Sequence, residues 1–191
     1  MNHFTYNDLE QLLITNKGYE PIRAKRAVYQ TKNFLRSLLY LLLISFILFW
    51  FHCLKEAVIT MIILKLYRSH SGGIHLKNYL ICFFTSLLLV CAIIAITKAL
   101  PLTIELEIIL WLINIFLWYR YVPQGTSARP IRKMDEKKKL KLNFFFRMVV
   151  TFSIRFIWLE IYSMCLFSML FTLLLITPIA YDIFKVQHDR I

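Results

Sequence analysis

The chain has 191 residues, 59% hydrophobic and 16% aromatic, and its 23 Lys and Arg against 11 Asp and Glu give a net charge of +12. A soluble domain carries about 45–50% apolar residues; here the excess falls in uncharged blocks, which argues against a soluble enzyme and for an integral membrane protein. The basic residues cluster between those blocks, where they orient the chain and meet anionic lipid, so nucleic acid is not expected as a partner.

Residues 1–36 are polar and lack the apolar core and small-residue cleavage site of a signal peptide. Leu9, Leu12 and Leu13 form a stripe at helical spacing, with Asp8, Glu10 and Gln11 opposite. Gly18 and Pro21 break it, and Ile22, Arg23, Lys25, Arg26 and Val28 resume a basic amphipathic pattern. The pattern predicts one or two helices in the membrane interface, although a solvated cytosolic tail has the same composition. Residues 37–54 read as a first crossing. Residues 57–67 fall short of the roughly 20 residues that a straight crossing takes, and either extend toward Ser71 or form a re-entrant piece. Loop 68–77 contains Gly72-Gly73 and precedes an uninterrupted span at 78–97. A turn with Pro101, Glu105 and Glu107 leads into 102–121. Loop 122–142 holds Pro123, Gly125 and Pro130, and then Lys137, Lys138, Lys139 and Lys141. Two last segments lie near 143–159 and 160–181.

The fold class expected is therefore all-α and polytopic, with about six membrane-embedded helical segments, one or two of them open to a re-entrant course, and an N-terminal amphipathic helix. It divides into an interfacial segment, 1–36, and an embedded domain, 37–185. Counting Lys and Arg places both termini, loop 65–77 and loop 120–142 on the cytoplasmic side of a cell membrane. Arg155 falls inside the fifth segment, where an ionisable residue needs a partner; Glu160, Glu105 and Glu107 are the candidates.

The four cysteines are Cys53, Cys82, Cys91 and Cys165, without the paired spacing of a disulfide framework. Three read as small buried hydrophobes. Cys82 differs because His75 stands seven residues before it, and an imidazole with a thiol is the pair that nucleophilic acyl transfer needs. On one straight helix the two would lie about 10.5 Å apart, too far for a hydrogen bond. The helix must therefore begin after His75. Asn78 is a good N-cap residue, which puts Cys82 beside the first turn, its side chain leaning back toward the loop. The positive end of the helix and its unpaired N–H groups then favour thiolate and supply donors for an oxyanion. A zinc site from His70, His75 and Cys82 lacks a fourth ligand, because His52 and Cys53 belong at the opposite membrane face; no metal or cofactor is expected. A non-enzymatic membrane transporter or export subunit would explain the hydropathy and charge, but not a Gly-Gly loop bearing two His and followed by a Cys.

Arg68, His70, Gly73, His75 and Cys82 form an R-x-H-x-x-G-x-H loop with a Cys seven residues beyond. With the amphipathic N-terminus, about six apolar segments and the basic loop from Pro130 to Lys141, this resembles the accessory gene regulator B (AgrB) family, membrane endopeptidases of Gram-positive quorum sensing. The resemblance implies Cys82 as nucleophile and His75 as base, with Arg68, His70 and Gly73 in support. It also implies a substrate: an AgrD-like precursor peptide with an acidic tail, cleaved through a Cys82 thioester and closed to a thiolactone or lactone ring. Lys137, Lys138 and Lys139 would hold the acidic tail, or else contact membrane lipids. Assembly as a homodimer is left open.

Overall fold

Each apolar block of the sequence is helical. A computed structural model describes residues 6–71, 79–124 and 134–184. Among them lie α1 (Tyr6–Lys17), α2 (Pro21–Trp50), α3 (Leu54–Ser71), α4 (Tyr79–Ala99), α5 (Ile104–Tyr121), α6 (Met134–Ile154), α7 (Leu159–Leu174) and α8 (Pro178–Ile183). The expected all-α class holds, with helices over all six predicted segments. His75 and Gly73, with Gly72, Asn78, Gly125 and Pro130, lie outside the described residues.

The chain forms two compact units, Met1–Ile47 and Leu48–Ile191. In the first, Gly18 ends α1 at φ +64°, a conformation open to glycine. Pro21 then opens α2, at a position where a missing N–H costs nothing. The basic amphipathic stretch and the first apolar segment are one continuous helix, because nothing between Ile22 and Trp50 breaks it. Its apolar part exposes Phe34, Leu38, Leu39, Leu42 and Phe46, a surface suited to hydrocarbon.

The second unit contains the remaining helices. Shortly after its start at Leu48, His52, at φ +54°, closes α2. The amide of His52 donates to the Phe49 carbonyl at 3.0 Å, and that of Cys53 to Leu48 at 3.0 Å. This is the paired bonding of a left-handed helix cap, and it turns the chain into α3. At the start of α5, the Thr103 hydroxyl accepts from the Leu106 amide at 3.3 Å, an N-cap bond.

The core of this unit is α7, which packs against α3, α4, α5 and α6. It is apolar nearly all round and buries Tyr162, Cys165, Leu166, Phe167, Met169 and Leu173 among others, as an interior helix must. By contrast α4 exposes Leu80, Ile81, Phe84 and Leu88. Its Leu80–Ala99 stretch is, among the described residues, the one helix long and apolar enough to cross a membrane by length and composition. Ser37–Trp50 and Leu159–Leu174 are shorter apolar helices.

Two basic residues of this unit pair with carboxylates. Arg155 follows the end of α6 and pairs with Glu107 of α5, Nε to Oε1 at 2.7 Å, so Glu107 is its partner among the three candidates. Tyr162 of α7 donates to the same carboxylate oxygen at 2.6 Å and accepts from Trp111 Nε1 at 2.8 Å. Lys98 of α4 pairs with Glu56 of α3 at 2.8 Å, and its ammonium lies 3.4 Å from the Cys53 sulfur.

Candidate active site around Cys82

α4 starts at Tyr79, so Cys82 is its fourth residue, in the first turn. Thr85, Ser86 and Leu89 follow three, four and seven residues on, which puts them on the same helix face. These four side chains line one pocket with Arg68 from the last turn of α3, Leu175 just past α7 and Phe184 just past α8. The pocket is small, about 20 Å³, room for roughly one water. Cys82 is a free, half-buried thiol, and among the described residues it is the cysteine that lines this pocket. Cys165 is buried in α7, and Cys53 and Cys91 lie elsewhere in the fold.

Arg68 stands within electrostatic reach of Cys82, so a guanidinium faces any negative charge that forms on the thiol or on a group attached to it. Its place is set by the anchoring of the α3 C-terminus to α6. The Tyr67 hydroxyl is hydrogen-bonded to Thr151, and the Tyr67 ring packs on Phe144 with centroids 5.7 Å apart. Arg147 donates to the Leu66 carbonyl, a side-chain bond that ties α6 to the last turns of α3. The Gln124 amide donates to the Ser71 carbonyl at 3.0 Å, tying the segment after α5 to the same end of α3.

His70 shares this last turn but is not among the described residues lining the pocket. Its Nδ1 lies 2.7 Å from Ser69 Oγ, and that hydroxyl donates to the Leu66 carbonyl at 2.8 Å. The two contacts place the Ser69 hydroxyl between the His70 ring and the α3 backbone.

Lys137, Lys138 and Lys139 lie in the first turns of α6, not in a loop, because the helix already begins at Met134. Asp135 and Glu136 in that first turn complement the positive helix end. Lys138 and Lys139 are exposed and Lys137 is half-buried; none lines the Cys82 pocket. Lys141, grouped with them by sequence, has a different role. Its ammonium donates to the Tyr119 carbonyl at 2.9 Å and sits over the Tyr119 and Trp118 rings, 4.8 and 5.4 Å from their centroids. It fastens α6 to α5.

Sequence reasoning thus finds two residues, Arg68 and Cys82, that share the pocket. It missed Thr85, Ser86 and Leu89, although their spacing from Cys82 was readable as a helix face. It also missed Leu175 and Phe184, about ninety or more positions away, and the supporting Arg147 and Thr151, for which no local signal exists.

A family model described as accessory gene regulator B matches residues 7–177. An AgrB-like protein of Clostridium acetobutylicum is 29% identical over 125 residues, 65% of this chain and 58% of that protein. FsrB of Enterococcus faecalis is 25% identical over 161 residues, 82% of this chain and 66% of that protein. The chain thus spans less than two thirds of the length of either relative. No solved structure matches it.

Proposed function

The chain belongs to the accessory gene regulator B family, and on that premise we propose that it is a membrane cysteine endopeptidase acting on an AgrD-like precursor peptide. The observation that carries this reading is the grouping of Cys82, in the first turn of α4, with the guanidinium-bearing Arg68 in one pocket. Cys82 attacks the carbonyl on the C-terminal side of the future ring while His75 takes the thiol proton. Negative charge on the carbonyl oxygen is stabilised by the first amides of α4 and by Arg68. The acidic tail leaves with the proton held by His75, and Cys82 keeps the rest of the peptide as a thioester. A thiol or hydroxyl within the bound peptide then attacks the thioester and closes a thiolactone or lactone ring.

In this reading the stretch 1–36 meets the membrane interface and passes within α2 into the embedded domain, 37–185, with several crossings. Both termini and the stretches 65–77 and 120–142, which include the end of α3 and the start of α6, face the cytoplasm of a Gram-positive cell. The positive charge of Lys137, Lys138 and Lys139 attracts the acidic tail. Gly73 belongs to the supporting set, together with His70, which contacts Ser69. The test is tail release from a synthetic precursor in liposomes. Activity should be lost in Cys82→Ala and severely reduced in His75→Ala, and kept in Cys53→Ala, Cys91→Ala and Cys165→Ala. Tail release by Cys82→Ala at unchanged expression would return the chain to the transporter reading.

A further inference from the structure

Exchange of one thioester for another inside a bound peptide is nearly neutral in free energy, whereas hydrolysis of the same thioester is strongly favourable. The product formed at a thioester site therefore depends on how well water is kept from the acyl carbon. The Cys82 pocket is bounded on its apolar side by Leu89, Leu175 and Phe184. Two of these come from the far end of the chain, and both are held by local structure. The Leu175 amide donates to Phe171 at 3.1 Å, and the Phe184 amide to Ala180 at 3.0 Å. Phe184 also packs on buried Ala180 and Tyr181. Its ring is thus seated against core residues and forms a fixed side of the pocket. With about 20 Å³ available, an acyl group on the Cys82 sulfur would occupy the space that a water needs.

We infer that Leu175 and Phe184 form the water-excluding wall of the Cys82 site and set the partition between ring closure and hydrolysis; this rests on the acyl-enzyme reading above. In ring closure the internal thiol or hydroxyl gives its proton to the base and its sulfur or oxygen bonds to the acyl carbon. The bond from that carbon to Cys82 Sγ breaks, and Sγ recovers the proton. In hydrolysis a water oxygen takes the same place, one water proton reaches Sγ, and the product is a linear acid. Nothing is oxidised or reduced on either path, and both return free Cys82.

The experiment uses the full chain in liposomes made in heavy-oxygen water, with a synthetic precursor-type peptide bearing one internal cysteine and an acidic C-terminal tail. Mass spectrometry reads the ratio of cyclic product to linear acid carrying the heavy oxygen. Phe184→Ala and Leu175→Ala should each lower that ratio severalfold, while Phe184→Leu, which keeps apolar bulk, should hold it near the wild-type value. The ratio is taken per tail released, so a lower yield of folded protein does not alter it; if Phe184→Ala gives no protein, Leu175→Ala decides alone. Wild-type ratios in the alanine variants, whatever their total turnover, would overturn the inference. Cys82→Ala runs alongside. Tail release by it would sink the acyl-enzyme reading itself, whereas an inactive Cys82→Ala with unchanged ratios elsewhere would sink only the wall.

Discussion

Tyr162→Phe removes one oxygen from the cluster that joins α5, α7 and the end of α6. Tyr162 is fully buried, and its hydroxyl both donates to Glu107 at 2.6 Å and accepts from Trp111 Nε1 at 2.8 Å. The substitution keeps the ring, so no cavity larger than the oxygen opens. What is lost is a hydrogen bond to a charged group, about 1.5–3 kcal/mol in soluble proteins, and a partner for the Trp111 N–H. Side-chain hydrogen bonds in membrane proteins average about 0.6 kcal/mol, which lowers the expectation to about 1–2 kcal/mol. Glu107 keeps Arg155 at 2.7 Å, so its charge is not stranded. In a chain of this size each kcal/mol moves a thermal midpoint by about 2–4 °C, and the variant should therefore unfold a few degrees lower in detergent micelles. A double-mutant cycle with Glu107→Gln should show positive coupling between the two sites. Wild-type stability in Tyr162→Phe, or strict additivity in the cycle, would refute the reasoning.

Replacing Lys137, Lys138 and Lys139 with Gln should weaken tail release from an acidic-tailed precursor more than from one with a neutralised tail; equal losses would favour a lipid role. Lys141→Met should act differently, costing about 1 kcal/mol of stability through its cation–π and carbonyl contacts, with no change in discrimination between the two tails. A cysteine placed at Gly125 should resist an impermeant thiol reagent in intact cells, and labelling there would reverse the proposed orientation.

The helices over the six apolar segments were legible from hydropathy, and Gly18 and Pro21 mark the boundary between α1 and α2 in type as well as place. The sequence also contained the placement of Cys82 in a first turn, since a good N-cap residue stands four positions before it. Less legible was α6, where a lysine run looks like loop but continues the helix that leads into the apolar segment. The division of labour among the lysines was hidden too, because only the packing of α5 against α6 brings Lys141 over Trp118 and Tyr119. Arg155 had three acidic candidates by sequence, and the choice of Glu107 depends on which face of α5 meets the α6 end. Leu175 and Phe184 reach the Cys82 pocket through tertiary structure alone, which a pattern of local periodicity does not encode.

The central claim is that Cys82 becomes covalently acylated by its peptide. The most direct measurement is the intact mass of the protein in liposomes after brief exposure to a precursor whose internal nucleophile has been replaced by Ala, so that ring closure cannot discharge the thioester. The account predicts a mass increase equal to the peptide without its tail, located at Cys82, removed by hydroxylamine and absent from Cys82→Ala. Tail release with no such adduct, or an adduct that persists in Cys82→Ala, would contradict it.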